Sequence, residues 1–148
     1  MAIKYYWEDF TPGWTYESGT RSLSAEDIVG FAREYDPQVY HTDAEAAKAT
    51  PFGGLIASGW QTCGVMMRLM CDGCLLESAC VGSPGLEEVR WLKPVRPGDA
   101  LRLRSTVLEQ TPSQTRADRG TVKFAWEALN QAGEVVCSIV GRQHFRRR

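Results

Sequence analysis

Hydrophobic and polar positions divide the chain into a helical half and a strand half. Ile28, Phe31, Ala32 and Tyr35 recur at steps of three and four, the spacing of one helix face. They predict a short amphipathic helix over 25–35. Ser24 stands before it as an N-cap, and Glu26 and Asp27 fall in the first turn, where the helix dipole favours acid. Asp36-Pro37 ends it, because a residue before proline is pushed out of the helical region. Thr42-Asp43-Ala44-Glu45 has the S/T-x-x-E form of a capping box and predicts a second short helix over 43–49. Thr50-Pro51-Phe52-Gly53-Gly54 reads as a loop. The run 55–71 is apolar on nearly every face and predicts one long helix, buried all round. Gly59 and Gly64 each weaken it by about 1 kcal/mol relative to Ala, so they are expected to mark close approach by a sheet or a ligand.

The second half alternates instead. Leu101, Leu103, Ser105 and Val107 take turns with Arg102, Arg104 and Thr106, the two-residue period of a strand over 100–109. Further strands are predicted over 15–23, 86–92, 121–129 and 134–145, the last two as a hairpin around Asn130-Gln131-Ala132-Gly133. Residues 72–85 and 110–120 read as loops and Pro94–Asp99 as a turn. Residues 1–14 are irregular but rich in rings (Tyr5, Tyr6, Trp7, Phe10, Trp14), which suggests a segment packed across the body or against a partner chain. No repeat or interdomain linker interrupts the pattern, so 1–148 is expected to be a single domain. The inventory is that of an α+β protein, a curved antiparallel sheet wrapped around a long central helix. One sheet covers only part of such a helix. The apolar surface left over predicts a homodimer or higher homo-oligomer, with two sheets side by side.

Composition narrows the function classes. The 148 residues are 43% hydrophobic, enough for one core, and the formal net charge is −1. Lys and Arg are scattered, which argues against a nucleic-acid surface. The basic run 146–148 reads as a solvated tail. The chain does not open on an apolar segment, and 55–71 carries Gln61 and Arg68 and is short for a membrane span. A cytoplasmic protein without a membrane partner is expected. Five cysteines without framework spacing suit a reducing compartment. Cys71-Asp72-Gly73-Cys74 is a C-x-x-C pair, but it follows a helix rather than a strand, and the two histidines are far away in sequence. Ordinary thiols at a helix end are expected, with a labile disulfide or metal site as the alternative. His144, near the chain end, is expected at a surface or interface.

Chemistry concentrates in 36–59. Asp36 lies five residues before His41, and Asp43 two after it. A carboxylate and an imidazole on one loop can activate water and protonate carbon. The N-terminal turns of a buried helix offer N–H groups and a positive dipole end to developing negative charge. Each residue alone has a plainer reading: Asp36 as a turn residue, His41 as a loop histidine, Asp43 as a helix start.

Three motifs together resemble the MaoC-like dehydratases, which include the R-specific enoyl-CoA hydratases of the hot-dog fold. The first is Asp36, His41 and Asp43. The second is Phe52-Gly53-Gly54-Leu55-Ile56-Ala57-Ser58-Gly59, similar to F-G-G-x-I-A-H-G. The third is Val89-Arg90-Trp91-Leu92-Lys93-Pro94-Val95-Arg96-Pro97-Gly98-Asp99, similar to V-x-F-x-x-P-V-x-P-G-D. The resemblance spans about 15–145. It implies a hydro-lyase that hydrates a trans-2-enoyl-CoA, or dehydrates a 3-hydroxyacyl-CoA, in fatty acid metabolism. It implies Asp36 and His41 as the catalytic pair and the Gly59 N–H as oxyanion donor. It implies CoA only as part of the substrate, with no metal or redox cofactor. Met66, Met67 and Met70 then read as core, acyl tunnel, or both, and Arg90, Lys93 and Arg96 as solvated or as contacts for CoA phosphates. Gln38-Val39 stand where the family often has Asn-Pro, and Ser58 where it commonly has His. Two alternatives stay open: a hot-dog acyl-CoA thioesterase, and a non-catalytic acyl-CoA-binding subunit.

Overall fold

The computed structural model describes residues 2–148. Alternation produces a five-stranded antiparallel sheet of β1 (Thr15–Ser22), β2 (Cys80–Trp91), β3 (Ala100–Pro112), β4 (Arg119–Leu129) and β5 (Val135–Arg146), in the order β1-β3-β4-β5-β2. Register places Leu103 opposite Ala128, Ser105 opposite Trp126 and Val107 opposite Phe124. All six are buried, so one face of the sheet is a continuous lining. The β4–β5 hairpin turns through Gly133 at φ 76°, and Asn130 Oδ1 accepts from the N–H groups of Ala132 and Glu134.

Four helices complete the chain: α1 (Ala25–Tyr35), α2 (Val39–Thr42), α3 (Ala44–Ala47) and α4 (Gly59–Gly73). The Ser24 hydroxyl caps α1 by accepting from Asp27 N–H, and Asp27 returns the bond to Ser24 N–H. Helix α4 lies against β1, β3 and β4. It buries Val65, Met66 and Met70 among Phe10, Leu101, Leu103, Val122 and Phe124. Burial of each such large side chain contributes roughly 1.5–3 kcal/mol. This is the curved sheet around a helix that the α+β inventory predicts, and the hot-dog arrangement that the resemblance implies.

The differences from expectation lie mainly at element ends and on α4. The apolar run 55–71 is two structures, not one. Leu55, Ile56 and Ala57 form a buried extended strap, and the helix starts only at Gly59. Periodicity cannot separate these, because both are simply apolar. Nor is α4 buried all round: Trp60 is 60% and Met67 42% exposed. Gly64 has open space where a Cβ would stand, whereas at Gly59 and Gly73 a Cβ would strike the rings of Trp91 and Tyr16. The second short helix is capped by Asp43, which accepts from Glu45 and Ala46 N–H, rather than by a Thr42 capping box. Strand β2 starts at Cys80, within the expected loop, and reaches Leu86 through register shifts at Gly82 and Gly85, both at positive φ.

The terminal segments pack on each other. Phe10 is fully buried, so the aromatic N-terminal segment does cross the body. The C-terminal arginines are not a free tail. Arg146 ends β5, the Arg147 guanidinium stands 4.8 Å over the Trp7 ring, and Arg148 Nη2 donates to Asp9 Oδ2 at 2.8 Å.

Candidate active site

Pro37 stops α1, and Asp36 becomes its C-cap. The chain then makes one turn, α2, which carries His41 inward to 4% exposure. One backbone bond ties this turn to the strap, a second ties the strap to Val95, and a third closes the turn on itself. Ile56 N–H donates to Tyr40 O at 3.0 Å, Ala57 N–H donates to Val95 O at 2.8 Å, and His41 N–H donates to Gln38 O at 2.9 Å.

The orientation of His41 follows from a further bond. Its Nδ1 lies 2.7 Å from the Ile56 carbonyl oxygen. A carbonyl only accepts, so Nδ1 carries a proton. Nε2 then faces Asp36 Oδ2 at 3.3 Å. In the neutral imidazole this leaves two acceptors side by side, an arrangement that a water molecule satisfies by donating to both.

Asp36 has further donors. Gln38 Nε2 donates to Oδ1 at 2.7 Å, and the Ser58 hydroxyl donates to Oδ2 at 2.7 Å. The Tyr40 hydroxyl in turn donates to Gln38 Oε1 at 2.5 Å. Burial pushes the Asp36 carboxyl upward. The bonds from Gln38 and Ser58, with the nearby imidazole, outweigh it and hold the carboxyl below its ordinary value.

The first turn of α4 faces the same space. Trp60 N–H is taken by the Ser58 hydroxyl, and Gln61 and Thr62 N–H by the Ser58 carbonyl. Gly59 N–H makes no hydrogen bond among the described residues. It is the free donor at the positive end of a fifteen-residue helix. The missing Cβ of Gly59 makes room for the Trp91 ring, and Trp91 meets Trp60 edge-on at 5.2 Å between centroids. Close approach by a sheet or a ligand is the expectation for this glycine, and the Trp91 ring at the end of β2 is what lies against it. Asp36, His41, Gly59, Trp91 and Lys93 border one open cavity of about 460 Å³.

The structure thus brings Asp36, His41 and Gly59 together. It keeps Asp43 apart as the cap of α3. It also brings in Ser58, Gln38, Tyr40 and Trp91. Ser58 and Gln38 are visible in the sequence only as departures from a motif, and nothing there pairs Trp91 with Gly59. Of the three basic candidates, Arg90 pairs with Glu88, Lys93 with Glu134, and Arg96 Nη2 donates to the Phe52 carbonyl. Met66 and Met70 are core, and Met67 is on the outer face of α4. His144 is half-buried on β5, its Nδ1 2.9 Å from Thr121 Oγ1.

At the far end of α4, Cys71 and Cys74 are free thiols. Burial pushes both upward, Cys74 to about 12. No three His, Cys, Asp or Glu side chains converge as a metal site among the described residues. None of the helices is long and apolar enough to cross a membrane, among the described residues.

Comparison with known proteins gives the family. A family profile described as "MaoC like domain" matches residues 9–126. The crystal structure of a MaoC-like dehydratase from Rhodospirillum rubrum superposes with a TM-score of 0.91 at 41% identity, covering 98% of this chain and 99% of that one. The uncharacterized protein YdeM of Bacillus subtilis is 32% identical over 124 residues, 84% of this chain and 86% of its own. A 3-hydroxybutyryl-CoA dehydratase of Methylorubrum extorquens is 31% identical over 117 residues, 76% of this chain and 69% of its own. With a matching profile over most of its length and the same fold, the chain belongs to the MaoC-like domain family.

Proposed function

We propose that the protein is a hydratase that reversibly adds water to the C2=C3 bond of a trans-2-enoyl-CoA, giving a 3-hydroxyacyl-CoA. The observation that carries this is the facing pair of acceptors, Asp36 Oδ2 and His41 Nε2, on a cavity that also holds the free Gly59 N–H. Water donates its two hydrogens to this pair. Its oxygen bonds to C3, and the π electrons move through C2 to the thioester oxygen. The Gly59 N–H and the α4 dipole stabilise that enolate oxygen. The proton taken from water returns through the pair to C2, and the carbonyl re-forms. Every step moves protons and electron pairs only, so the reaction calls for no redox cofactor, and the proposal assigns water activation and carbonyl polarisation to Asp36, His41 and the Gly59 N–H rather than to a metal. The hydratase and dehydratase names among the relatives support the same reaction class.

The functional unit in this proposal is a homodimer. Trp60 and Met67 on α4, with Leu86, Trp91 and Leu92 on and just beyond the edge strand β2, form exposed apolar surface beside an unpaired sheet edge. A second copy can cover both.

The test is hydration of crotonyl-CoA, followed by loss of enoyl absorbance. Asp36→Asn and His41→Ala are each expected to lower turnover by roughly 10²–10⁴-fold with the fold intact by circular dichroism. Full activity in both variants sinks the assignment. Thiol release with the enoyl band intact points to a thioesterase instead.

A further inference from the structure

The Ser58 side chain is fully buried, and its hydroxyl both donates and accepts a hydrogen bond. It donates to Asp36 Oδ2 at 2.7 Å and accepts from Trp60 N–H at 3.3 Å, which makes it the N-cap of α4. Its backbone carbonyl accepts from Gln61 and Thr62 N–H. Ser58 does not border the cavity. It therefore touches both halves of the site without reaching the space a substrate occupies.

We propose that Ser58 is a positioning residue, whose single hydroxyl locks the Asp36 carboxylate to the N-terminus of α4. The proposal rests on the hydratase reading for its catalytic meaning. Addition of water needs the activating pair and the oxyanion donor at one fixed separation, and misplacement is costly in rate. Asp36 sits at the end of α1, whereas the Gly59 N–H belongs to α4. Ser58 supplies the one direct side-chain bond between Asp36 and the start of α4 among the described residues. Gln38 holds the other carboxylate oxygen and is itself held by Tyr40. With both oxygens held, Oδ2 keeps one lone pair for water, 3.3 Å from His41 Nε2.

The bond also bears on protonation. A donor on the ionised carboxyl favours the charged form, and burial opposes it. The groups facing Asp36 are Gln38, the N-cap of α2, His41 on α2, and Ser58, the N-cap of α4. Lys93 borders the same cavity but is paired with Glu134. Removing the hydroxyl leaves burial less opposed, so the carboxyl rises.

Two readouts separate positioning from mere support. The first is a ¹³C carboxyl titration of Asp36 in the unliganded protein, compared between wild type, Ser58→Ala, Ser58→Thr and Gln38→Leu. The midpoint is expected to rise in Ser58→Ala, to rise at least as far in Gln38→Leu, and to stay low in Ser58→Thr, which keeps the hydroxyl. The second is the pH profile of crotonyl-CoA hydration. In Ser58→Ala kcat is expected to fall roughly 10- to 100-fold with KM nearly unchanged, and the acid limb to move up with the carboxyl midpoint. Ser58→Ala also loses a helix cap and melts earlier. Gln38→Leu leaves that cap in place and acts on the same carboxylate from the exposed side. An unmoved Asp36 midpoint in Ser58→Ala, with Gln38→Leu showing that the titration detects loss of a donor, overturns the proposal, as does an activity loss in Ser58→Ala with no shift of the acid limb. If the wild type hydrates no enoyl thioester, the functional reading fails. The titration then still decides whether Ser58 holds the carboxylate.

Discussion

A pair of potentially reactive side chains at short spacing lies at each end of α4, and the two pairs have opposite surroundings. At the N-terminal end, Asp36 and His41 face each other across 3.3 Å, beside a free amide and a cavity. Hydrogen bonds there hold a carboxyl in its charged form against burial. At the C-terminal end, burial outweighs the Arg68 charge at Cys71 and is unopposed at Cys74, and both thiols are pushed toward the neutral form. Helix polarity adds to the contrast. The N-terminus favours developing negative charge, and the C-terminus disfavours a thiolate. A motif supplies reactive groups, and the surroundings decide whether they ionise and what they face.

The largest test of this contrast is a paired substitution. Asp36→Asn is expected to cost roughly 10²–10⁴ in hydration rate, whereas Cys71→Ser with Cys74→Ala is expected to leave the rate unchanged. Loss of activity in the thiol double variant would break the comparison.

Glycine substitutions sharpen it next. A Cβ at Gly59 strikes the Trp91 ring, and one at Gly73 strikes the Tyr16 ring. Overpacking of this kind costs about 1–3 kcal/mol, so both Gly59→Ala and Gly73→Ala should melt earlier. Only Gly59→Ala should also lower hydration, since it displaces Trp91 from the cavity wall. Equal activity in the two variants would show that the N-terminal glycine is structural alone.

Thiol reactivity gives a smaller contrast. With its thiol pushed up to about 12, native Cys74 should resist alkylation at pH 8 and react only on unfolding. Rapid labelling of Cys74 in the folded protein would show that the helix end opens.

The smallest effect is on acid stability. The Asp36 carboxyl lies lower in the folded protein than in the unfolded chain. Its contribution is therefore present above the unfolded value, near 3.9, and is lost as pH falls through the folded value. Asp36→Asn should make the acid-side loss of stability shallower, measured as Tm against pH. An unchanged slope would mean that the carboxylate gains nothing on folding.

Much of the fold was legible in the sequence because it depends on local repetition. The alternation on β3 and β4, the Ser24 cap and the Pro37 stop are written within a few residues of where they act. The helix start was misplaced because Leu55, Ile56 and Ala57 are apolar in either conformation. Their backbone partners, Tyr40 and Val95, come from other segments. The docking of Arg147 and Arg148 on Trp7 and Asp9 was missed for the same reason, since it joins opposite ends of the chain.

The site divides along the same line. The sequence by itself determined that an acid, an imidazole and a helix start lie close along the chain, since spacing and motif are properties of the chain alone. Tertiary structure decided that His41 presents Nε2, because Ile56 takes the proton on Nδ1. It decided that Asp36 is held charged, because Ser58 and Gln38 close on it from two segments. It decided that Gly59 is required for Trp91, a ring delivered by β2. Hydrogen bonds and van der Waals contacts act over a few ångströms in space, and only the folded chain sets which groups come that close.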